Sequence, residues 1–270
     1  MGCCSSKGAD TKASRLARWR STGITFPDEV LDLERSVRTL DLTCNKIELL
    51  NRKLISYDSY SSTSTAEIPV EINKLTNLQR LILAENVIER LPVNLGLLQS
   101  VKVMTLDKNR MTTLPDELGQ LVKLERLSVS SNSLVSLPGT IGSLRNLVLL
   151  NVSSNNLKIL PESIGNCFSL EELQANDNTI EELPASVCSL VHLKSLCLNN
   201  NNLKQIPPNL LKECKSLQNI SLHGNPISMD QFQQIEGFQE FEARRKKKVD
   251  KQIDSNVIIS SNGLDVGVDH

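Results

Sequence analysis

The residues best placed for covalent chemistry are the first ones of the chain. The N-terminus reads MGCCSSK, so a glycine follows the first methionine and Ser6 completes the pattern M-G-x-x-x-S/T. This pattern predicts that Gly2 accepts a myristoyl group once Met1 is removed, and the adjacent Cys3 and Cys4 are placed for palmitoylation. One acyl chain gives only marginal membrane binding, whereas a second chain gives a stable anchor. The motif therefore predicts a lipid-anchored N-terminus.

Charge near this motif favours the same interpretation over a chance match of so short a pattern. Asp10 is the only acidic residue of the first 20, and Trp19 stands among five basic residues, namely Lys7, Lys12, Arg15, Arg18 and Arg20. Each basic group near an anionic leaflet contributes about 1 kcal/mol to binding. We expect residues 1–20 to form a lipidated basic segment that holds a cytoplasmic chain on the cytosolic face of the plasma membrane or of endomembranes.

Catalytic and metal-binding patterns do not occur elsewhere in the sequence. His192, His223 and His270 do not cluster with carboxylates or cysteines, and the chain has neither a phosphate-binding G-x-x-x-x-G-K-S/T motif nor a G-x-S-x-G nucleophile motif. The seven cysteines are odd in number and never spaced as C-x-x-C, which is typical of reduced cytosolic thiols. We expect no enzymatic activity, no metal site and no cofactor.

Composition excludes further classes of protein. The formal net charge is -1, whereas a nucleic-acid binder needs excess Lys and Arg to neutralise phosphates. The chain contains no apolar run of about 18 residues, the minimum that could cross a bilayer. Aromatic residues make up only 3%, so the core must be built from aliphatic side chains. These features favour a protein that binds other proteins and not nucleic acid.

An internal repeat of 23 residues dominates the sequence. Six asparagines stand one period apart and a seventh follows after 24 residues: Asn86, Asn109, Asn132, Asn155, Asn178, Asn201 and Asn225. Seven of the 10 prolines mark a second position with the same period: Pro69, Pro92, Pro115, Pro138, Pro161, Pro184 and Pro207. The period and the leucine pattern are those of stacked leucine-rich repeats, in which each unit buries its apolar side against its neighbours.

Each residue type has a physical role in the repeat. Alternation predicts a strand in which Leu150 and Val152 point inward while Leu149, Asn151 and Ser153 point outward. The asparagine that follows, such as Asn155, can satisfy buried main-chain groups where the chain turns. Seven such amides would form a ladder along the protein.

The second half of each repeat reads as a short turn of helix. Proline presets φ and can open a helical turn. After it, Ile141 or Ile164, together with Leu144 or Phe168, is expected to pack the convex side. The fold class is thus α/β, a leucine-rich-repeat solenoid shaped as a curved horseshoe, with a parallel sheet on the concave face and short helices or 3-10 turns on the convex face.

The ends depart from the repeat. Residues 21–50 read as an N-terminal cap and first repeat, in which Ile24 to Phe26 is too short for the cap's strand. The next ladder asparagine after Asn45 is Asn86, an interval of 41 residues, and the surplus predicts an extruded Ser/Thr-rich loop at 51–67. Regular repeats are expected over 68–227, a helical C-terminal cap over 228–254 and a disordered tail over 255–270. The basic run 244–248 is either a phospholipid or nuclear-address motif or a solvated helix end.

The repeat sequence resembles a known family. Units of the type L-x-x-L-P-x-x-L/I-G-x-L, with RLARWRSTGI and FPDEV near the start and IEGFQEFEARRKKK near the end, resemble the plant intracellular Ras-group-related leucine-rich-repeat proteins and the short leucine-rich repeat-containing protein fifty-seven group. The likeness spans roughly residues 15–250, apart from the short segment 23–27 and the extra residues 51–67. It implies a signalling adaptor without catalytic residues.

The outward strand positions are the candidate binding surface for a protein partner. They include Arg80, Ile82, Val103, Thr105, Asp107, Arg126, Ser128, Leu149, Asn151, Glu172, Gln174, Asn176, Cys197, Asn199 and His223. Many of these could be simple solvated positions, but Ile82, Val103 and Leu149 stand out because apolar groups there have no core to fill. A membrane-tethered scaffold and a substrate-recognition or inhibitory subunit of a signalling enzyme or ubiquitin ligase remain alternatives. We expect a monomer.

Overall fold

A computed structural model describes residues 16–18, 36–45 and 68–254 of the chain. These residues form one parallel sheet of nine strands, each hydrogen-bonded to the next one along the chain. The strands are β1 Leu16–Arg18, β2 Thr39–Asp41, β3 Arg80–Ile82, β4 Val103–Thr105, β5 Arg126–Ser128, β6 Leu149–Asn151, β7 Glu172–Gln174, β8 Ser195–Cys197 and β9 Asn219–Ser221. The sheet is open, and the expected solenoid is confirmed.

Inward and outward side chains alternate along the strands, as expected from the sequence, and the inward ones form the core. Leu150 and Val152 are fully buried, whereas Leu149, Asn151 and Ser153 are half-buried on the other side of the sheet. The central residue of every strand from β2 to β9 is a buried aliphatic residue, so these side chains stack from one strand to the next in register. A single continuous aliphatic core results, and each repeat buries its apolar side chains only against its neighbours.

Six 3-10 helices lie opposite the sheet in the described part of the chain, at Val70–Lys74, Val93–Leu97, Asp116–Gln120, Gly139–Ser143, Glu162–Asn166 and Ala185–Ser189. A proline precedes each one directly, with φ between -63° and -71°, the range that the pyrrolidine ring imposes. Ile141, Leu144 and Ile164 are fully buried beneath these helices, as expected. The prediction for Phe168 is wrong, because it is 47% exposed and Cys167 fills the position that Leu144 occupies one repeat earlier.

Close packing between the 3-10 helices depends on glycine. A Cβ built on Gly119 would lie 2.6 Å from the Thr140 carbonyl oxygen of the next repeat, well inside van der Waals contact. The equivalent Cβ on Gly142 would overlap the Ser163 carbonyl, whereas a Cβ on Gly139 in the same helix meets nothing within 4 Å. The convex side therefore has room for a side chain at one end of this helix and none at the other.

The asparagine ladder is present. Asn155 is 6% exposed, and its Nδ2 donates to the carbonyl oxygens of Val129 at 3.0 Å, Val152 at 3.0 Å and Ser153 at 3.1 Å. Its Oδ1 accepts from the backbone N–H of Leu134 at 3.0 Å. The same set of bonds recurs at Asn109, Asn178 and Asn201, so each amide joins its own repeat to the one before it.

A left-handed residue precedes each ladder asparagine, a regularity that the sequence did not suggest. It is glycine only at Gly224, and elsewhere it is Cys44, Glu85, Lys108, Ser131, Ser154, Asp177 or Asn200, with φ between 54° and 62°. Non-glycine residues rarely adopt this conformation. Its cost is offset by a hydrogen bond, because the N–H of each of these seven residues donates to a carbonyl of the following repeat, as Ser154 does to Asn176 at 2.8 Å.

One prediction about the N-terminal end is wrong, because the cap does have a strand. Strand β1 pairs in parallel with β2, with Ala17 opposite Leu40. In the sequence, the place expected for this strand is Ile24 to Phe26, a segment that is too short for it. The strand lies upstream instead, at Leu16–Arg18. Its pattern was hidden because alanine stands at the register position that Leu, Met or Ile occupies in the other eight strands.

Helices cover the other end of the core. Helix α1, Leu210–Glu213, replaces the 3-10 helix in the last repeat, and α2, Met229–Gln233, and α3, Phe238–Asp254, follow the last strand. A capping box between Ser228 and Gln231 starts α2. Phe232 and Phe241 are fully buried and meet edge to face, with ring centroids 6.2 Å apart.

Arg244, the first residue of the basic run, helps to dock α3 on the last repeat. Its guanidinium donates to the carbonyl oxygens of Leu217 and Leu211, both at 3.0 Å, and burial lowers its pKa. Lys246, Lys247 and Lys248 are exposed. The run is therefore divided between a structural arginine and solvent-facing lysines.

Candidate protein-binding face

The outward-facing residues of the sheet form three parallel rows that run from strand to strand, and we call the surface that they make the concave face. The first and third residues of each strand give the first two rows. The first row is Thr39, Arg80, Val103, Arg126, Leu149, Glu172, Ser195 and Asn219. The second is Asp41, Ile82, Thr105, Ser128, Asn151, Gln174, Cys197 and Ser221.

The third row stands two residues after each strand: Thr43, Ala84, Asp107, Ser130, Ser153, Asn176, Asn199 and His223. All fifteen residues proposed from the sequence lie in these rows, and each is exposed or half-buried. The structure adds positions that the sequence reasoning left out, among them Ser195, Asn219 and Ser221 at the C-terminal end. Neighbouring strands in a sheet are about 4.8 Å apart, so adjacent members of a row can contact one partner side chain together.

Several third-row residues have a structural role that the sequence reasoning missed. Asp107 Oδ1 accepts from the Ser128 hydroxyl at 2.6 Å and from the Ser130 N–H at 2.7 Å. Asn176 Oδ1 accepts from the Asn199 N–H at 2.8 Å, and Asn199 Oδ1 in turn accepts from the His223 N–H at 3.0 Å. These side chains form a second, partial ladder on the concave face, and their polar atoms are already committed to neighbouring repeats.

Ion pairs border the rows and also join adjacent repeats. Lys102 pairs with Glu125, Lys194 with Glu171 and Lys108 with Glu85, each at 2.7 Å between Nζ and a carboxylate oxygen. Opposite charges one period apart were the signal in the sequence that could have revealed them. Such exposed pairs contribute little to stability, but they neutralise these lysines. Glu85 also accepts from the Cys44 thiol at 2.7 Å, and this bond, followed by the pairing with Lys108, lowers the pKa of its carboxyl.

Several cysteine thiols of the repeats are buried or half-buried. Burial raises the pKa of the Cys197 thiol, and Lys248 lies close enough to oppose this shift electrostatically. Cys167 and Cys214 lie on the convex side, and burial raises the pKa of each thiol to about 12. These three thiols stay protonated at neutral pH, so they are poor nucleophiles and poor metal ligands.

Comparison with known proteins identifies the repeat and a full-length relative. Residues 94–177 and 139–262 match the family described as a leucine-rich repeat region. The chain is 72% identical over 278 aligned positions to plant intracellular Ras-group-related LRR protein 7 of Oryza sativa subsp. japonica, covering 100% of this chain and 99% of the relative.

Solved structures share the fold. A plant peptide hormone receptor, RGFR1 in complex with RGF2, is 28% identical with a TM-score of 0.61, over 76% of this chain and 31% of the receptor chain. A TDR receptor is 21% identical with a TM-score of 0.63, over 74% of this chain and 33% of that one. The chain therefore spans about a third of the length of these receptor chains, and the second likeness concerns the fold alone. The match to the rice protein, by contrast, covers essentially the whole length of both chains at 72% identity. Because of this match, the chain belongs to the plant intracellular Ras-group-related LRR proteins.

Proposed function

We propose that this chain is a non-catalytic adaptor in intracellular signalling that binds a protein partner on the concave face. The observation that carries the proposal is that inward-facing positions of the repeat are nearly constant, whereas outward-facing positions vary. The buried leucines and the ladder asparagines recur with little change and hold the scaffold together, whereas the outward positions of β3–β8 carry apolar, basic, acidic and amide groups that differ from one repeat to the next. A regular scaffold that displays varied side chains on a continuous surface is suited to selective binding of one partner.

The likeness to a receptor complex supports a binding role for such a scaffold. One of the similar structures is that of the plant peptide hormone receptor RGFR1 in complex with RGF2. Binding by this chain would require only that a partner segment lie along the rows. It would require no catalytic group.

Substitutions on the concave face should abolish partner capture. We expect the double variant Thr105→Arg, Gln174→Arg to lose the proteins that the full-length chain retains from plant cytosol, since two long charged side chains block the second row. The matched control is Val122→Arg, Phe168→Arg, which places the same charge on exposed apolar positions off this face. Quantitative mass spectrometry of the captured proteins provides the comparison.

The two alternatives predict different captured proteins. A ligase, phosphatase or kinase core that depends on the concave face would indicate a substrate-recognition or inhibitory subunit. Proteins retained equally by both double variants would contradict the proposed face.

We also propose that the adaptor is held on the cytosolic face of a membrane by acylation of Gly2, Cys3 and Cys4. These residues and most of the basic N-terminal segment lie outside the described residues, so the proposal rests on the MGCCSSK motif and the nearby positive charge. In the part of the chain that the structure describes, no helix has the length and apolar character needed to cross a membrane.

Removing the acylation sites should release the chain from membranes. We expect Gly2→Ala to move the protein into the soluble fraction, and Cys3→Ser, Cys4→Ser to weaken membrane binding to that of one myristoyl chain, about 10⁴ M⁻¹, strengthened only by the nearby basic residues. Cys44→Ser is the control, because Cys44 is an exposed thiol of the repeats and not of the motif. Membrane retention of Gly2→Ala after fractionation would refute the tether without affecting the concave-face proposal.

A further inference from the structure

The first row of the concave face alternates basic and apolar side chains over four consecutive strands. Register places Arg80 of β3 beside Val103 of β4, Val103 beside Arg126 of β5, and Arg126 beside Leu149 of β6. The two arginines are thus two strand spacings apart, about 10 Å. Between them and after them lie apolar side chains that face solvent.

The two arginines differ from the lysines around them. Lys102 and Lys108 each bind a glutamate of a neighbouring repeat. Arg80 and Arg126 are exposed, and within the described residues neither guanidinium makes a salt bridge or donates a hydrogen bond. Their planar groups can each bind a carboxylate through two parallel hydrogen bonds.

The apolar outward residues of the same strands also do not pack into the core. Val103, Leu149 and the second-row Ile82 are half-buried on the face opposite the aliphatic core. The C-terminal half of the concave face differs, because there Gln174 Nε2 donates to Glu172 and Asn219 Nδ2 donates to Ser195. Among the described residues, the exposed arginines and the apolar side chains that lack an internal partner therefore lie together on β3–β6.

We propose that β3–β6 bind an acidic segment of the partner, with two carboxylates on Arg80 and Arg126 and an apolar side chain on Val103 between them. This inference rests on the proposed concave-face function and names the chemistry of its ligand. An extended polyproline II segment fits the spacing, because its residues i and i+3 lie on one side about 9 Å apart. Nucleic acid fits less well, since the flanking lysines are paired and Asp107, Glu85 and Glu125 border the site.

Selection from a library of short random peptides tests the inference directly. The full-length chain, Arg80→Glu, Arg126→Glu and the matched control Arg110→Glu, Arg145→Glu would each be used as bait. The control makes the same change in net charge at two exposed arginines outside the rows. We expect peptides selected by the wild-type chain to pair Asp or Glu with apolar residues. Their affinity should fall at least about tenfold with the first variant, weaken with added salt, and stay unchanged with the control.

A milder variant distinguishes loss of the arginine charge from misfolding. Arg80→Gln, Arg126→Gln removes the charge while keeping much of the side chain, and it should show the same loss with an unchanged circular dichroism spectrum. Selected peptides that are neutral or basic, yet lose binding with Thr105→Arg, Gln174→Arg, would overturn the acidic ligand and leave the concave-face function standing. Peptides that bind this blocked variant as well as the wild type would count against both.

Discussion

Replacing Asn155 by alanine is expected to lower the free energy of unfolding by about 3 kcal/mol or more. The substitution removes an amide that makes four hydrogen bonds in the interior, and it leaves the Leu134 N–H and the carbonyls of Val129 and Val152 without that partner. Each buried polar group deprived of its partner costs about 1–3 kcal/mol. Alanine cannot bridge two repeats, so the loss falls on the junction between them.

Asn156 is the matched control, since it follows Asn155 directly and its side chain is exposed. Asn156→Ala should change stability by less than about 0.5 kcal/mol, as surface substitutions usually do. Urea unfolding followed by circular dichroism gives both values under one condition. Equal unfolding midpoints for the two variants would show that the ladder amide is not a major source of stability.

Gly142→Ala is expected to destabilise the fold by about 1–3 kcal/mol, the usual cost of inserting a methyl group into a packed interior. The new Cβ would overlap the Ser163 carbonyl and lie 2.9 Å from the Ser163 Cβ, and neither the backbone nor a Cβ can turn aside. The 3-10 helices of adjacent repeats would have to separate, which weakens packing across the convex side.

Gly139→Ala provides the comparison within the same 3-10 helix. Its Cβ meets nothing within 4 Å, so the substitution should be neutral or should stabilise by up to about 1 kcal/mol through loss of freedom in the unfolded chain. Thermal and urea unfolding of the two alanine variants would measure the difference. If Gly139→Ala proved the more damaging of the two, the close approach of the helices could not be the reason for glycine at 142.

The regular part of the fold was predictable because its signals repeat. Leucine spacing, Asn155 and its equivalents, and the prolines each marked one position of a 23-residue unit, and together they predicted the strands, their direction and the outward residues. The 72% identity to the rice relative confirms the family that the same motifs suggested. Because each position recurs in several repeats, its residue type could be judged from several examples.

The sequence did not predict features in which one repeat departs from the common pattern, or features that depend on contacts between neighbouring repeats. Ala17 hid β1 because its small side chain broke the leucine pattern, and Phe168 was assigned to the core although Cys167 fills it. The hydrogen bonds of Asp107 and Asn176 join side chains to residues 23 positions away, so they depend on the curvature and stacking of the sheet. For the same reason the sequence alone could not show which polar groups of the concave face are paired with a neighbouring repeat.

The long interval between Asn45 and Asn86 has a consequence for how such proteins can vary. Strands β2 and β3 pair in the same register as strands one period apart, although 41 residues and not 23 separate their equivalent positions. The hydrogen bonds between these two strands thus keep their register despite the longer stretch of chain that connects them. Evolution, or a protein engineer, can lengthen the connection between two such strands, for example to carry an epitope or a second binding motif, without changing the register of the sheet.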